Sequence, residues 1–171
     1  MRFPRDARTI FRLSAIGIAI LAATATIPHT PVLVWNATAS APIGLYVRLP
    51  ESTPKRGDLV LVRPPAAIAQ FASRRGYLPA NVPLIKRIIA LSGDTICARD
   101  DSILLDGQPL VQRQTIDGQG RPLPHWSGCH TLGRHEVFLA MTHVSDSFDG
   151  RYFGAIPTAN IVGRLVPLWT R

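Results

Sequence analysis

A mostly β domain preceded by one N-terminal transmembrane helix is the fold class this sequence predicts, and three observations predict it. No Asp, Glu, Lys or Arg occurs from Leu13 to Val47, and Leu13–Ile27 reads as a continuous apolar helix rich in Ala, Ile and Leu. Beyond Val47 the chain is a series of short apolar, β-branched runs separated by Gly, Pro and Asp, the pattern of strands and turns. Asp106-Gly107 between Ser102-Ile103-Leu104-Leu105 and Pro109-Leu110-Val111 is a strong hairpin signal.

Taken in order, residues 1–12 form a basic tail, 13–35 a membrane anchor and 36–171 the folded domain. At 1.5 Å per residue, the apolar helix from Leu13 to Ile27 reaches about 23 Å, short of a hydrocarbon thickness of about 30 Å. Extension through Pro28, Pro31 and Val32-Leu33-Val34-Trp35 closes the gap and sets Trp35 at the far interface. Arginines ahead of the helix predict a cytoplasmic N-terminus and an exported body. A cleavable signal peptide is the alternative, with Ala22-Ala23-Thr24-Ala25 as its small-residue site.

Gly57-Asp58-Leu59-Val60-Leu61-Val62-Arg63 alternates as a strand and is stopped by Pro64-Pro65. Ala66–Arg75 predicts a short helix closed by Gly76, and Tyr77–Pro83 a loop. Leu84–Ala90 is a strongly apolar run carrying Lys86 and Arg87, followed by a turn at Leu91-Ser92-Gly93-Asp94 and a strand at Thr95-Ile96-Cys97. The Gly- and Pro-rich stretch Gly118–Gly128 predicts an exposed excursion, and Glu136–Met141 and Ile161–Val166 the last strands. No internal repeat or low-complexity tract is present.

A length of 171 residues and 46% hydrophobic content suffice for one core beside the anchor. The net charge is +8, of which Arg2, Arg5, Arg8 and Arg12 against Asp6 place about three charges in the tail. The remaining basic residues form no stripe interleaved with aromatics, so nucleic acid is not an expected partner. Cys97 and Cys129 are the only cysteines. In an exported domain they can form one disulfide, and the alternative is two buried thiols that never meet. Two cysteines without a CxxC pair make a poor zinc site, so neither metal nor cofactor is expected.

Serine is a weak nucleophile until a neutral base takes its proton. A lysine with the ordinary pKa of about 10.4 is neutral in only about one molecule in 2,500 at pH 7, and lowering that pKa to about 8 costs the ammonium roughly 3 kcal/mol. Lys86, among Leu84, Ile85, Ile88 and Ile89, has the neighbours for that desolvation; a surface charge on an edge strand is the other reading of the same residue. Arg87 points to the opposite face of a strand and stays protonated. Lys55, the other lysine, lies among Pro54, Arg56, Gly57 and Asp58 in a solvated turn. His29, His125, His130, His135 and His143 invite a Ser-His-Asp triad, with His143 near Asp146, but no Gly-x-Ser-x-Gly elbow is present.

Three segments carry a resemblance: Ser40-Ala41-Pro42-Ile43-Gly44-Leu45-Tyr46, the Lys86-Arg87 pair ahead of Gly93-Asp94, and Ser147-Phe148-Asp149-Gly150-Arg151-Tyr152-Phe153-Gly154. In order and spacing the chain resembles the S26 signal peptidases, most closely those of the TraF conjugative-transfer type, over nearly its whole length. Gly150 departs from the serine that many relatives carry in the third segment.

That resemblance implies a signal-peptidase-like β domain with Ser40 as nucleophile and Lys86 as general base. Thr38, where signal peptidases often carry a second hydroxyl, is the candidate oxyanion donor beside the Ser40 backbone N–H. Ser147, Asp149 and Arg151 match positions that support the active site, with Asp149 expected to bond mainly to Arg151. The implied activity is endoproteolysis of exported precursors such as a conjugative pilin, with water or the substrate's own amino terminus as acceptor. The expected setting is the inner membrane, single-pass, with the catalytic domain in the periplasm and conjugation or type IV secretion components as further partners. A general signal peptidase and a non-catalytic scaffold in a conjugation pore are the alternatives. A cytosolic self-cleaving repressor would need a helix-turn-helix where the anchor stands.

Overall fold

The computed structural model describes residues 5–26, 32–50 and 53–171. The chain divides into two units, residues 1–31 and 32–171. The first is helix α1, Arg5–Thr26, which exposes Ile10, Phe11, Leu13, Ile16 and Ile18. Among the described residues no helix is long and apolar enough to cross a membrane. The helix starts ahead of the expected Leu13, and Ile27–Pro31 lie outside the described residues. The expected continuation of the anchor helix through Trp35 is corrected here: Leu33–Asn36 is strand β1, antiparallel to β2. Its backbone groups are satisfied by a sheet partner that a local reading of hydropathy does not see.

The second unit is mostly β. Its larger sheet has the order β1-β2-β11-β3-β4-β9-β10, in which β2 is Gly44–Leu49, β3 Leu59–Val62, β4 Leu84–Ala90, β9 Glu136–Leu139, β10 Ile156–Pro157 and β11 Ile161–Thr170. The smaller sheet has the order β7-β6-β5-β8, from Gln108–Gln112, Ser102–Leu105, Thr95–Arg99 and Gly128–Thr131. Helix α2, Ala66–Arg74, follows Pro65 and ends ahead of Gly76, which takes a φ of 71°. One turn, α3, spans Gly150–Phe153.

Turn chemistry sets the register. Asp106 and Gly107, at φ of 49° and 79°, join β6 to β7 so that Leu105 pairs with Gln108. Strand β11 pairs with β3 through Ile161–Arg164 and with β2 through Arg164–Thr170, shifting register between Pro167 and Trp169, where proline has no N–H to give the ladder. Gly44 starts β2 at the point where a Cβ would collide with the Trp169 carbonyl oxygen, so glycine is required for β2 and β11 to close together.

Strand β8 was not expected, because its residues follow the polar, Gly- and Pro-rich excursion and all four are exposed. It holds to β5 as an edge strand, and Cys97 and Cys129, directly opposite in that pairing, form a disulfide. The excursion is pinned to the turn that follows α2: the Asp117 carboxylate accepts from Tyr77 Oη at 2.6 Å and from Arg121 Nε at 2.7 Å, and Arg121 Nη2 donates to the Arg75 carbonyl at 2.9 Å.

Strand β4 serves three cores. Ile85 packs with Ala41, Tyr46, Leu61, Met141 and Leu165. Ile88 packs with Val60, Val62, Val137, Leu139 and Ile156. Ala90 joins Ile96, Ile103, Leu132 and Phe138 beneath the smaller sheet. At about 1.5–3 kcal/mol per buried large aliphatic side chain, these clusters fix β4 in place and with it Lys86.

Candidate active site

Ser40 sits in the loop that connects β1 to β2, closed at its base by the Asn36–Gly44 pairing. Asn36 is 4% exposed, and its amide organises the loop. Its Nδ2 donates to the carbonyls of Thr38, Ala41 and Pro42 at 3.0, 2.9 and 3.1 Å. Its Oδ1 accepts from Thr38 N at 3.0 Å and from the Thr38 hydroxyl at 2.8 Å. The Thr38 and Ser40 hydroxyl oxygens lie 3.3 Å apart. Tyr46, 1% exposed, closes the other side by donating its hydroxyl to the Pro42 carbonyl. Asn36 escaped the sequence reading because it stands at the first position after the expected anchor, within the uncharged Leu13–Val47 run; an amide there, just before a proline-containing loop, was its only signal.

Lys86 is 2% exposed, whereas Arg87 on the opposite face is exposed and donates to the Gly57 carbonyl. Lys86 Nζ donates to Ser147 Oγ at 2.6 Å, and Ser147 is itself buried. Burial pushes the ammonium down from the ordinary 10.5 to about 8; the charge of Asp149 opposes this, that of Arg151 assists it, and Asp146 opposes it. The site therefore holds a lysine poised to be neutral in a useful fraction near pH 7–8.

Asp149 and Arg151, both with fully buried side chains, form an ion pair. Asp149 Oδ1 accepts from Arg151 Nε at 2.9 Å, and Oδ2 from Arg151 Nη2 at 2.8 Å and from Met141 N at 2.9 Å. Arg151 also donates to the carbonyls of Val144 at 2.7 Å and Ser145 at 3.2 Å. The pair thus stitches the 141–151 segment into the shape that presents Ser147 to Lys86. Asp149 caps α3 by accepting from Arg151 N. Gly150 is required by its surroundings, since a Cβ would lie 2.7 Å from the Leu139 carbonyl oxygen and 2.8 Å from the Phe138 ring. Phe148 stacks between Phe71 of α2 and Tyr152, anchoring the segment from its other side.

The three segments converge on one core. Ala41, next to Ser40, Ile85, next to Lys86, and Met141, whose N–H is held by Asp149, belong to the same buried cluster. The polar contacts form separate sets: Ser40 with Thr38 and Asn36, Lys86 with Ser147, and Asp149 with Arg151. Among the described residues no hydrogen bond joins Ser40 Oγ to Lys86 Nζ. His130 pairs with Glu136 at 2.8 Å, apart from these groups. Among the described residues no cluster of His, Cys, Asp or Glu is arranged to hold a metal ion.

A family model described as signal peptidase, peptidase S26, matches residues 7–169. The chain belongs to the S26 signal peptidase family. It is 36% identical over 146 residues to a plasmid transfer protein TraF of Escherichia coli, covering 79% of this chain and 81% of that one. A probable conjugal transfer protein TraF of Sinorhizobium fredii is 39% identical over 138 residues, 75% of this chain and 72% of the relative. A signal peptidase I of Leptolyngbya laminosa is 29% identical over 113 residues, 66% of this chain and 51% of the relative. The family makes the domain a serine peptidase of signal-peptidase type.

Proposed function

We propose that this chain is a membrane-anchored serine endopeptidase working through a Ser40–Lys86 dyad on exported protein precursors, a conjugative pilin foremost. The single observation that carries the reading is Lys86, buried, lowered to about pKa 8 and held by Ser147 at 2.6 Å in a chain of a peptidase family.

In the proposed reaction, Ser40 Oγ attacks the scissile carbonyl carbon as its proton passes to neutral Lys86 Nζ. The C–N bond then breaks, and the departing amine takes the proton back from Lys86, leaving an ester on Ser40. An acceptor, water or the substrate's own amino terminus, gives its proton to Lys86, attacks the ester and restores the Ser40 hydroxyl. Water yields a linear product and the amine a cyclic one. Hydrogen bonds between catalytic groups commonly tighten only when substrate binds, so the reaction calls for the Ser40 hydroxyl to turn from Thr38 to Lys86 Nζ. The Ser40 backbone N–H is the proposed oxyanion donor.

Relatives named for plasmid and conjugal transfer support a conjugative substrate. An inner-membrane location with the domain in the periplasm is supported by three features: the exposed apolar side chains of α1, the arginines at its start, and a disulfide suited to an oxidising compartment. The test is the intact mass of the pilin-like protein encoded with this gene, from cells carrying wild type or Ser40→Ala. A precursor that accumulates only with Ser40→Ala supports processing, and a mature product about 18 Da lighter than its linear peptide, the mass of one water, identifies the amine as acceptor. Identical masses in both strains would refute the reading for this substrate.

A further inference from the structure

The orientation of the Asn36 amide is fixed by its partners. Thr38 N carries a hydrogen and can only donate, so the atom facing it at 3.0 Å is Oδ1. The opposite atom faces three carbonyl oxygens, which can only accept, so it is Nδ2. Since Oδ1 has no hydrogen, the 2.8 Å contact with Thr38 Oγ1 uses the threonine's one hydroxyl hydrogen. Toward Ser40, 3.3 Å away, Thr38 therefore has only lone pairs to offer, and the Ser40 hydroxyl is the donor. In this arrangement Thr38 also has no hydrogen left for a carbonyl oxygen of a substrate, which departs from its expected part as oxyanion donor.

We propose that Asn36 is a positioning residue that fixes the polarity of the Thr38–Ser40 hydroxyl pair, making Thr38 an acceptor that aims the Ser40 hydroxyl before substrate arrives. The proposal rests on Ser40 being the nucleophile. In the resting site the Ser40 hydrogen lies on Thr38, which holds Oγ in one place in the loop; the hydrogen turns to Lys86 Nζ as the reaction begins, and Oγ is already set for an incoming carbonyl carbon. Asn36 is suited to the task because its Cα is locked into the β1–β2 ladder and all its polar atoms are used within the loop. Its side chain is thus a rigid template on which Thr38–Pro42 is folded.

The test is steady-state cleavage of a fluorogenic peptide with Ala-x-Ala before the cut, by the full chain in detergent micelles. The enzymes are wild type, Asn36→Ala, Thr38→Val, the double variant and Thr38→Ser. Each of the first two substitutions is expected to lower kcat by about 10–100-fold while leaving KM nearly unchanged, the cost of a misaimed nucleophile. The double variant should be no slower than the slower single one, because both act through one chain of hydrogen bonds. Thr38→Ser keeps the hydroxyl and should retain most of the activity.

Multiplying effects in the double variant would overturn the proposal and return Thr38 to an independent role such as oxyanion donation. An unchanged kcat for folded Asn36→Ala would also overturn it. Thr38 is exposed and valine matches its shape, so Thr38→Val remains informative if Asn36→Ala fails to fold. If wild-type chain and Ser40→Ala are equally inactive on the peptide, the peptidase reading is what fails. Amide hydrogen exchange then decides the positioning claim separately: the Thr38 amide should exchange at least about tenfold faster in Asn36→Ala, having lost its acceptor, and unchanged exchange would overturn the claim.

Discussion

Lys86→Met keeps a long side chain at the same place in β4 while removing its charge, and it should make the protein more stable and inactive. The drop in the Lys86 pKa from 10.5 to about 8 corresponds to about 3 kcal/mol by which the folded state disfavours the ammonium. Lys86 is 2% exposed, so solvent screening does not discount this. Against it stands the hydrogen bond to Ser147, whose loss leaves a buried hydroxyl unpartnered at about 1 kcal/mol. The net expectation at pH 7 is a gain of about 2 kcal/mol. The sign with pH follows from linkage: between pH 8 and 10.5 the unfolded chain still holds the lysine proton and the folded chain has released it. The stability of the lysine protein therefore rises with pH through that window, relative to methionine, by up to about 1.4 kcal/mol per pH unit. Urea denaturation of both proteins with the disulfide intact, at pH 7, 8, 9 and 10, measures the difference, in which other titrating groups largely cancel. A methionine advantage that does not shrink between pH 8 and 10 would refute the premise that a desolvated ammonium is stored at this position.

In the wild type, peptide cleavage should rise with pH through about 8 as Lys86 loses its proton; a rate already flat from pH 6 would point to another base. Asp149→Asn leaves the fully buried Arg151 guanidinium without its counter-charge and should cost about 3–5 kcal/mol of stability, read by denaturant melts, with a loss below about 1 kcal/mol speaking against the ion pair. Gly150→Ser places a side chain against the Leu139 carbonyl and the Phe138 ring and should destabilise by about 1–3 kcal/mol, while the paired Gly150→Ser/Phe138→Leu variant should recover part of that loss. Replacing both cysteines by alanine opens a link between residues 32 positions apart and should cost about 3–4 kcal/mol in the chain-entropy account, whereas equal stability of the oxidised wild type and the variant would discount the disulfide.

The resemblance to signal peptidases was legible because three local signatures keep their residue types and order. Ser40-Ala41-Pro42, Lys86-Arg87 and the Ser147–Gly154 segment are each short enough to read without knowing the fold. The pattern of alternating and β-branched runs likewise located β3, β4, β6, β7 and β9, and Asp106-Gly107 fixed one hairpin. Strands β1, β2 and β8 escaped for a common reason: each draws its stability from a partner distant in the chain or from an edge pairing, and carries no alternating pattern of its own. Leu33–Asn36 reads as apolar continuation of a helix until β2 folds back against it, and the Trp35–Trp169 stacking joins residues from the two ends of the domain.

Composition and order along the chain determined by themselves that this is a small, mostly β domain after an apolar N-terminal helix, and they singled out one lysine flanked by apolar residues. They did so because propensity, turn chemistry and hydropathy act over a few residues. Only the tertiary structure decided that Lys86 faces Ser147, that Asp149 is consumed by Arg151, that Gly44 and Gly150 stand where no side chain fits, and that Asn36 holds the Thr38 hydroxyl. Desolvation, close packing and hydrogen-bond satisfaction depend on which distant atoms surround a group, and those neighbours exist only once the strands have met.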